Sequence, residues 1–527
     1  MTSLRPNGSA QLRSPSQQLM QHSFSSSASK APTKRNRKNL CLDALDMIPA
    51  TVRRPHFNVA ALRSGILHLG CGAFHRAHQA VVTQRAIEAD SRNGLSWGIA
   101  SASLRRPDTP DALTPQDGLY TVLERGSQGT KAEVVGSVSE AFFAPADERG
   151  LVARLADPAT RIVTLTVTAG GYALEPATGR LQPDHPDIQH DLTAERPKSA
   201  IGTLVHGLDA VRKAGHQPPV ILSCDNLNAN GNTLRQAVID CAALKDDQIA
   251  SWIERSVQFP NSMVDRIVPG TTEEDRKTAG EALGFEDAAP VSAEPFLQWV
   301  IEDFEGERPR WEAGGAQMVT DVAPWETAKL RLLNGTHMVL AYIGGLAGLS
   351  TMAEVARDPL LSAMALRFML DEVVPTLPPG GPDPKAYTQL LLKRWRNPAI
   401  RHNVVRIGQN GSEKLAARIL RPLRENLRAG RPAPCTILAI AGWIRWFALR
   451  DTSGTKVKLV DPIAARLKAL CEQVGEDHPR LAEAFLCLED VFGPKLPRHD
   501  EVVRQLGRAL SDLHLYDLRS VIAARLN

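Results

Sequence analysis

Cysteine is scarce and unpaired in this 527-residue chain: Cys41, Cys71, Cys224, Cys241, Cys435, Cys471 and Cys487 are scattered, odd in number and free of any C-x-x-C spacing. That excludes a disulfide framework or zinc ribbon and points to a reducing compartment. Long hydrophobic runs are missing as well. The longest, Met338 to Leu349, has twelve residues and two adjacent glycines, too few to span a bilayer, and no secretory apolar segment precedes it. No G-x4-G-K-[ST] phosphate loop occurs. Acidic residues are absent from the first 42 positions, which hold seven Lys and Arg. Taking those seven from the total of 62 leaves 55 basic residues against 58 acidic ones, so the net charge of +4 belongs to the N-terminal tail. The body is close to neutral, and nucleic-acid binding, which needs a concentrated basic face, has no electrostatic support.

What is present suits a globular protein of two large domains and a tail: 43% of the residues are hydrophobic and 23% charged. Residues 1–42, with "SFSSSASKAPTKRNRK" near their end, cannot bury enough apolar surface to offset chain entropy and are expected to be disordered. Their basic, Ser-rich character also fits an organelle transit peptide. The expected compartment is the cytoplasm, or an organelle matrix if the tail is such a peptide. From Gly65 onward, β-branched runs such as "GILHL", "SWGIASASL", "YTVLER", "AEVVGSV", "RIVTLTV" and "PVILS" are interspersed with helical stretches such as "KSAIGTLVHGLDAVRKA". That alternation predicts an α/β domain with a parallel, doubly wound sheet over residues 43–320. Beyond about residue 320, segments such as "ETAKLRLLNGTHMVLAYIGGLAG" and "EVVRQLGRALSDLHL" carry apolar residues at helical spacing. Residues 321–527 are expected to form a mainly α-helical domain.

Three places in this framework could bear chemistry. Gly70-Cys71-Gly72-Ala73-Phe74-His75 follows the strand Ile66–Leu69 and opens a helix. Paired glycines let the turn tighten and let backbone N–H groups approach a pyrophosphate, so Gly70, Gly72, Ala73 and Phe74 are candidate cofactor contacts. His75 replaces the third glycine of the dinucleotide fingerprint, and the same text also reads as an ordinary strand-to-helix turn. A second strand, Trp97–Leu104, runs into Arg105, Arg106 and Asp108. A carboxylate there binds the ribose hydroxyls of NAD, whereas arginines accept the extra phosphate of NADP; both types are present. Cys71, His75 and His78 are close in sequence, but Cys71 sits between turn glycines pointing away from the histidines, and no fourth ligand is near. No metal site is expected.

The second place is Lys329-Leu-Arg-Leu-Leu-Asn334-Gly-Thr-His337. On a regular α-helix, at about 100° per residue, His337 falls roughly 80° from Lys329 and Asn334 roughly 140°, so the three share one broad face. Oxidation of a secondary alcohol requires loss of the hydroxyl proton as hydride leaves the same carbon. A neutral lysine can accept that proton while an asparagine amide donates to the developing alkoxide. The plain alternative is a snorkelling lysine and an interior histidine. The third place is "SCDN" at 223–226, after the strand Val220–Leu222, which would put Asp225 or Asn226 at a strand carboxyl end or form an Asx turn. None of the five tyrosines has Lys four residues later, so the dyad of short-chain dehydrogenases is absent.

Taken in order, "GILHLGCGAFHRAHQA", "TLTVTAGGY", "HPDIQHDL", "PKSAIG", "SCDNLNANG", "MVDRIVPGTT", "EPFLQWVIED" and "KLRLLNGTH" resemble the polyol-specific long-chain dehydrogenases, the mannitol dehydrogenase family. The resemblance runs from about residue 43 to the end, through "NPAIRH", "GSEKL" and "AGWIRW". It implies a Rossmann-like NAD-binding domain, a helical domain, a metal-free site between them and a monomeric chain. By the same resemblance Lys329 is the general base, Asn226 and Asn334 stabilise the oxyanion, and Asp265, His337 and Arg394 match substrate-binding positions. Asp108 corresponds to the acidic residue after the second strand. Many members carry Glu where this chain has Ala169, a position tied to a proton channel; Glu326, three residues before the lysine, could serve instead. The implied substrates are a small polyol, ketose or sugar acid, either mannitol and fructose or, as in fructuronate reductases, mannonate and fructuronate. A carboxylate substrate would want an arginine, and Arg394 and Arg401 are the candidates. A non-catalytic dinucleotide-binding protein is the reading from another class: the intact Lys329, Asn226, Asn334 and His337 argue against it, and Ala169 argues mildly for it.

Overall fold

The computed structural model describes residues 39–147, 149–175, 178–400, 402–448 and 460–526. In chain order its strands are β1 (Ser64–Leu69), β2 (Gly98–Ser103), β3 (Tyr120–Gly126), β4 (Gly129–Val135), β5 (Val138–Phe143), β6 (Ile162–Leu165), β7 (Val220–Ser223), β8 (Ser262–Asp265), β9 (Val291–Ala293), β10 (Gln298–Glu302) and β11 (Gln317–Val319). Five of these make one all-parallel sheet in the order β5-β2-β1-β6-β7. The chain moves outward from β1 to β2 and β5 on one side, then to β6 and β7 on the other. Winding therefore reverses between β1 and β6, where an open parallel sheet forms its ligand crevice beyond the strand carboxyl ends.

The alternation of β1 explains its central place. Leu67 and Leu69 share a core cluster with Ile201, Leu204 and Leu208 of the helix Ala200–Ala214, whereas Ile66 joins Val81 and Val82 of the helix Gln79–Ala89. Successive side chains thus serve two helical layers, the pattern of a parallel strand buried on both faces. "YTVLER" and "AEVVGSV", which the β-branched pattern placed among the alternating strands, instead form the antiparallel hairpin β3–β4, with β9 parallel to β3. A third small sheet pairs β10 with β8 antiparallel and with β11 parallel. It brings the carboxyl end of β8 toward the helical half.

That half begins at the helix Ala323–Ala328 and is built around the helix Thr336–Leu346, which is apolar on every side and accordingly buried. Among the described residues no helix is long and apolar enough to cross a membrane. Three wider π-helical segments interrupt the regular helices: Lys329–Gly335, Phe368–Val373 and Ala416–Leu420. The first corrects the expectation of a regular α-helix through Lys329 and Asn334. An i→i+5 turn moves Asn334 closer to the face of Lys329 than 100° steps would. Gly335 closes this turn, and a Cβ there would lie 2.8 Å from the Arg418 carbonyl oxygen.

The tail also needs a correction at its edge. Residues 1–38 lie outside the described residues, but Asn39–Leu42 belong to the folded body. The Leu40 N–H donates to the Glu286 carbonyl at 2.8 Å. Leu40 is fully buried beside Ile48, Val52, Leu119 and Leu283, so one leucine ends the polar segment earlier than composition suggested.

The turn after β1 is tight at its first glycine only. Gly70 has φ +110°, and a Cβ would fall 2.3 Å from the Thr166 carbonyl oxygen, whereas Gly72 has ordinary φ and nothing closer than 3.8 Å. Gly70→Ala is expected to cost on the order of 2 kcal/mol or more in equilibrium unfolding, and Gly72→Ala well under 1 kcal/mol. Equal losses at the two positions would contradict this account of the turn.

Candidate active site

A cavity of about 460 Å³ opens over the carboxyl ends of β1, β2 and β6, a volume within the range of small-molecule and cofactor sites. Gly70, Cys71 and Gly72 form one wall, Arg105, Arg106 and Thr109 another, and Thr168, Gly170 and Lys198 a third. Ser199 caps the helix Ala200–Ala214 at this cavity, its Oγ accepting from the Gly202 N–H at 2.8 Å. Buried Asp191 accepts from the Lys198 and Ser199 N–H groups and fixes that cap. The Gly70, Cys71 and Gly72 N–H groups already donate to the Ala102 and Gly70 carbonyls, so it is the start of the helix Ala200–Ala214, together with Lys198, that suits the pyrophosphate of a dinucleotide.

Three expected cofactor contacts sit differently. Ala73 and Phe74 occupy the first turn of a five-residue helix and are not on the cavity wall; Phe74 stacks on His78 at 4.9 Å. Asp108 opens the helix Asp108–Leu113, is exposed, and is not on the wall either. The loop after β2 turns Arg105 and Arg106 inward instead. Arg105 reaches Asp187, another wall residue, at 3.4 Å.

Histidines pack behind the glycine turn. His68 bonds Thr164 Oγ1 at 2.7 Å and stacks on His75 at 3.4 Å, and His78 Nε2 meets the Gln298 carbonyl at 2.8 Å. Burial pushes His68 and His78 down to about 3, so these rings are neutral. Burial likewise raises the Cys71 thiol. Among the described residues no three His, Cys, Asp or Glu side chains are grouped to hold a metal ion.

The loop after β6 joins the cavity to a second cluster. Thr168 and Ala173 hold φ of +65° and +51°, conformations that a β-branched threonine adopts only under constraint. The constraint is buried Asp225, after β7, which accepts from the Thr168 N–H at 2.7 Å, the Val167 N–H at 3.1 Å and the Tyr172 hydroxyl at 2.9 Å. Of the two residues singled out in "SCDN", Asp225 is thus turned inward to hold the loop. Its neighbour Asn226 is exposed and meets the lysine.

Lys329 Nζ donates to Asn226 Oδ1 and to the Val264 carbonyl oxygen, each at 2.6 Å. Burial lowers the Lys329 pKa from its ordinary value; Asp265 and Glu326 pull it back up, while Arg394 and Arg418 lower it further. A neutral amine has two N–H bonds and one lone pair. With both N–H bonds committed to fixed oxygens, the lone pair is left to accept a proton. Because Asn226 Oδ1 is occupied, its amide N–H bonds are free to donate outward. Asn334 follows on the same π-helical turn. The His337 ring is buried with Nε2 unpartnered among the described residues, lies 5.1 Å from the rings of Trp395 and His402, and is kept neutral by burial. Glu326 accepts from the Ala229 N–H at 3.0 Å, and burial raises its carboxyl above the ordinary range.

Arg394 is where the structure departs furthest from expectation. Its guanidinium is gripped by Asp265, at 2.6 and 3.1 Å, and by Glu294, at 2.7 and 3.1 Å, with Phe296 beneath it at 3.9 Å. Burial opposes the charge of Asp265, yet Arg394 outweighs it and holds that carboxyl below its usual range. Two carboxylates already match the charge of one guanidinium, so Arg394 is not a free cation for a substrate carboxylate. Arg401 lies outside the described residues. Sequence reasoning missed Glu294, although it opens the quoted "EPFLQWVIED". It also missed Arg418, four residues beyond Lys414 of "GSEKL".

Comparison with known proteins adds a common frame. Residues 64–313 match the mannitol dehydrogenase Rossmann domain and residues 321–514 the mannitol dehydrogenase C-terminal domain. The chain is 40% identical over 481 residues to D-mannonate oxidoreductase of Escherichia coli, covering 90% of this chain and 98% of the relative. It is 37% identical over 498 residues to mannitol 2-dehydrogenase of Pyrenophora tritici-repentis, covering 92% and 85%. Among solved structures, the Pseudomonas fluorescens mannitol 2-dehydrogenase ternary complex with NAD and D-mannitol superposes with a TM-score of 0.76 at 35% identity, over 93% of this chain and 98% of the other.

Removing one member of a buried ion-pair group strands the charges of the others. Arg394→Leu should therefore lower unfolding stability by about 3–5 kcal/mol in a denaturant titration. A loss below about 1 kcal/mol would contradict the three-membered clamp, since the median exposed pair contributes no more than that.

Proposed function

The chain belongs to the mannitol dehydrogenase family, and we propose that it is an NAD-dependent, metal-independent oxidoreductase that interconverts a secondary alcohol of a polyol or sugar acid and the corresponding ketone. The observation that supports this best is the buried Lys329 amine, held by Asn226 and the Val264 carbonyl with its lone pair unassigned. The first reading is the chemistry of mannitol 2-dehydrogenase, with mannitol and fructose, and draws on the Pyrenophora tritici-repentis relative and the Pseudomonas fluorescens structure. The second reading, mannonate and fructuronate, draws on the Escherichia coli relative.

In this reading Gly70, Gly72 and Lys198, together with Arg105 and Arg106 on the facing wall, would hold the dinucleotide in the cavity. When bound, NAD supplies the hydride acceptor. Lys329 takes the hydroxyl proton, which burial favours by lowering its pKa from the ordinary lysine value. The outward N–H bonds of Asn226, joined by Asn334 from the adjoining π turn, stabilise the developing alkoxide. Neutral His337 orients a substrate hydroxyl. The proton leaves Lys329 by way of Glu326, a carboxyl whose raised pKa suits a relay and whose charge acts on the amine; Ala169 cannot serve in that role. Charge at the reacting oxygen is met by amide donors and the lysine, so the step needs no Lewis acid.

Lys329→Ala should lower the alcohol oxidation rate by at least 10²–10⁴-fold while NADH binding, followed by fluorescence, stays within about twofold. A variant that keeps most of the wild-type rate would remove the base assignment. The sign of the pH dependence follows from the same amine. Below its pKa Lys329 is protonated and cannot accept, so kcat/KM for mannitol oxidation should fall as pH drops through a single ionisation lying under the ordinary lysine value of about 10.4. A profile still rising past about pH 10.4 would contradict a depressed lysine. Prolonged EDTA treatment should leave turnover intact, and a loss restored by added zinc would overturn the metal-free step.

A further inference from the structure

The basic side chains around Lys329 are of two kinds. Arg394 is clamped by Asp265 and Glu294, and Arg331 donates to Glu425 at 2.8 and 2.9 Å and to the Thr376 carbonyl. Arg418 is different. It sits on the π-helical segment Ala416–Leu420, whose backbone abuts Gly335, the residue between Asn334 and Thr336. It is half-buried, and among the described residues it has no ion-pair partner and no hydrogen bond. Its charge acts on the Lys329 amine, on the His337 ring and on Lys414, one turn earlier. Lys414 does not neutralise it: that amine donates only to the Gln409 carbonyl, and like charges four residues apart on a helix repel. A partly desolvated guanidinium with no counter-charge is costly to keep unless something that binds beside it is negative.

We propose that Arg418 is the carboxylate anchor of this active site, and that the preferred substrate within the reaction class argued above is a sugar acid whose carboxylate lies at the end of the chain away from the reacting carbon. The proposal rests on that reaction class. Position supports it: the Arg418 backbone is packed against the turn that carries Lys329 and Asn334, so a substrate presented to those groups extends past the same turn. Chemistry supports it too. A guanidinium fork matches two carboxylate oxygens at once, whereas a terminal hydroxymethyl group offers it only one weak acceptor. Arg394, the natural candidate from sequence, has its donors taken by two carboxylates already.

The test compares D-mannonate with D-mannitol, which differ only in carboxylate against hydroxymethyl at one end. Oxidation of each by NAD is measured for the wild type, Arg418→Met and Arg418→Lys, with NADH binding as a check that each variant is folded. The wild type should prefer mannonate by kcat/KM. Arg418→Met should lower the mannonate-to-mannitol ratio of kcat/KM ten- to hundred-fold, the usual worth of a charge-assisted contact. Arg418→Lys, which keeps the charge but loses the fork, should retain a preference between those two. A ratio unmoved by Arg418→Met, equal losses on both substrates, or a wild type that oxidises mannitol better than mannonate would overturn the anchor while leaving the oxidoreductase reading intact. A wild type that oxidises neither would overturn that reading and the anchor with it.

Discussion

The two hydrogen bonds donated by Lys329 Nζ, to Asn226 and to the Val264 carbonyl, are the constraint on which the rest of the site depends. They tie three separate parts of the chain together. Lys329 comes from the first π turn of the helical half, Asn226 from the loop after β7, and Val264 from β8. For those 2.6 Å contacts to form, the helical half must sit in register on the sheet half. Several otherwise odd features serve that register. The widened turn Lys329–Gly335 is accommodated where Gly335 lets a carbonyl from the next helical segment approach. Asp225 fixes the strained Thr168 loop and so fixes the direction in which its neighbour Asn226 leaves the sheet.

Electrostatics then decides what the lysine can do. Here the Arg394 charge is matched by Asp265 and Glu294, while at Lys329 the raising effects of Asp265 and Glu326 are opposed by Arg394 and Arg418. Burial is left as the dominant influence, and it favours the neutral amine. The same clamp links the end of β8 to the helix Pro384–Trp395, so a single group of three charges both tunes the base and joins the two halves. Buried ion groups add less to stability than their geometry suggests. Their value here lies in orientation.

Much of this was legible in the sequence because it is local. The alternation around Ile66–Leu69, the glycine turn and the short strand before "SCDN" are each written within a dozen residues, and each lands where its pattern placed it. What escaped is non-local. The partners of Arg394 lie 129 and 100 residues away, so no window reveals that its charge is already used. The π turn looks like an α-helix to any periodicity argument, because one extra residue per turn hardly alters the spacing of leucines. Asp108 has the right chemistry for a ribose contact, but three residues of loop geometry turn Arg105 and Arg106 to the cavity instead. Arg418 has no motif of its own. Only the packing of Ala416–Leu420 against Gly335 brings it to the site.

The central claim is that Lys329 is a neutral amine when the enzyme works, and its side chain can be titrated directly. Nitrogen-15 NMR of protein labelled at the lysine Nζ, with the Lys329→Met variant assigning the resonance, reads that ionisation without reference to turnover. The account predicts one amine that titrates below the main group of lysines, whose ordinary value is about 10.4, and that disappears in the variant. A Lys329 resonance titrating with the surface lysines, or above them, would contradict it.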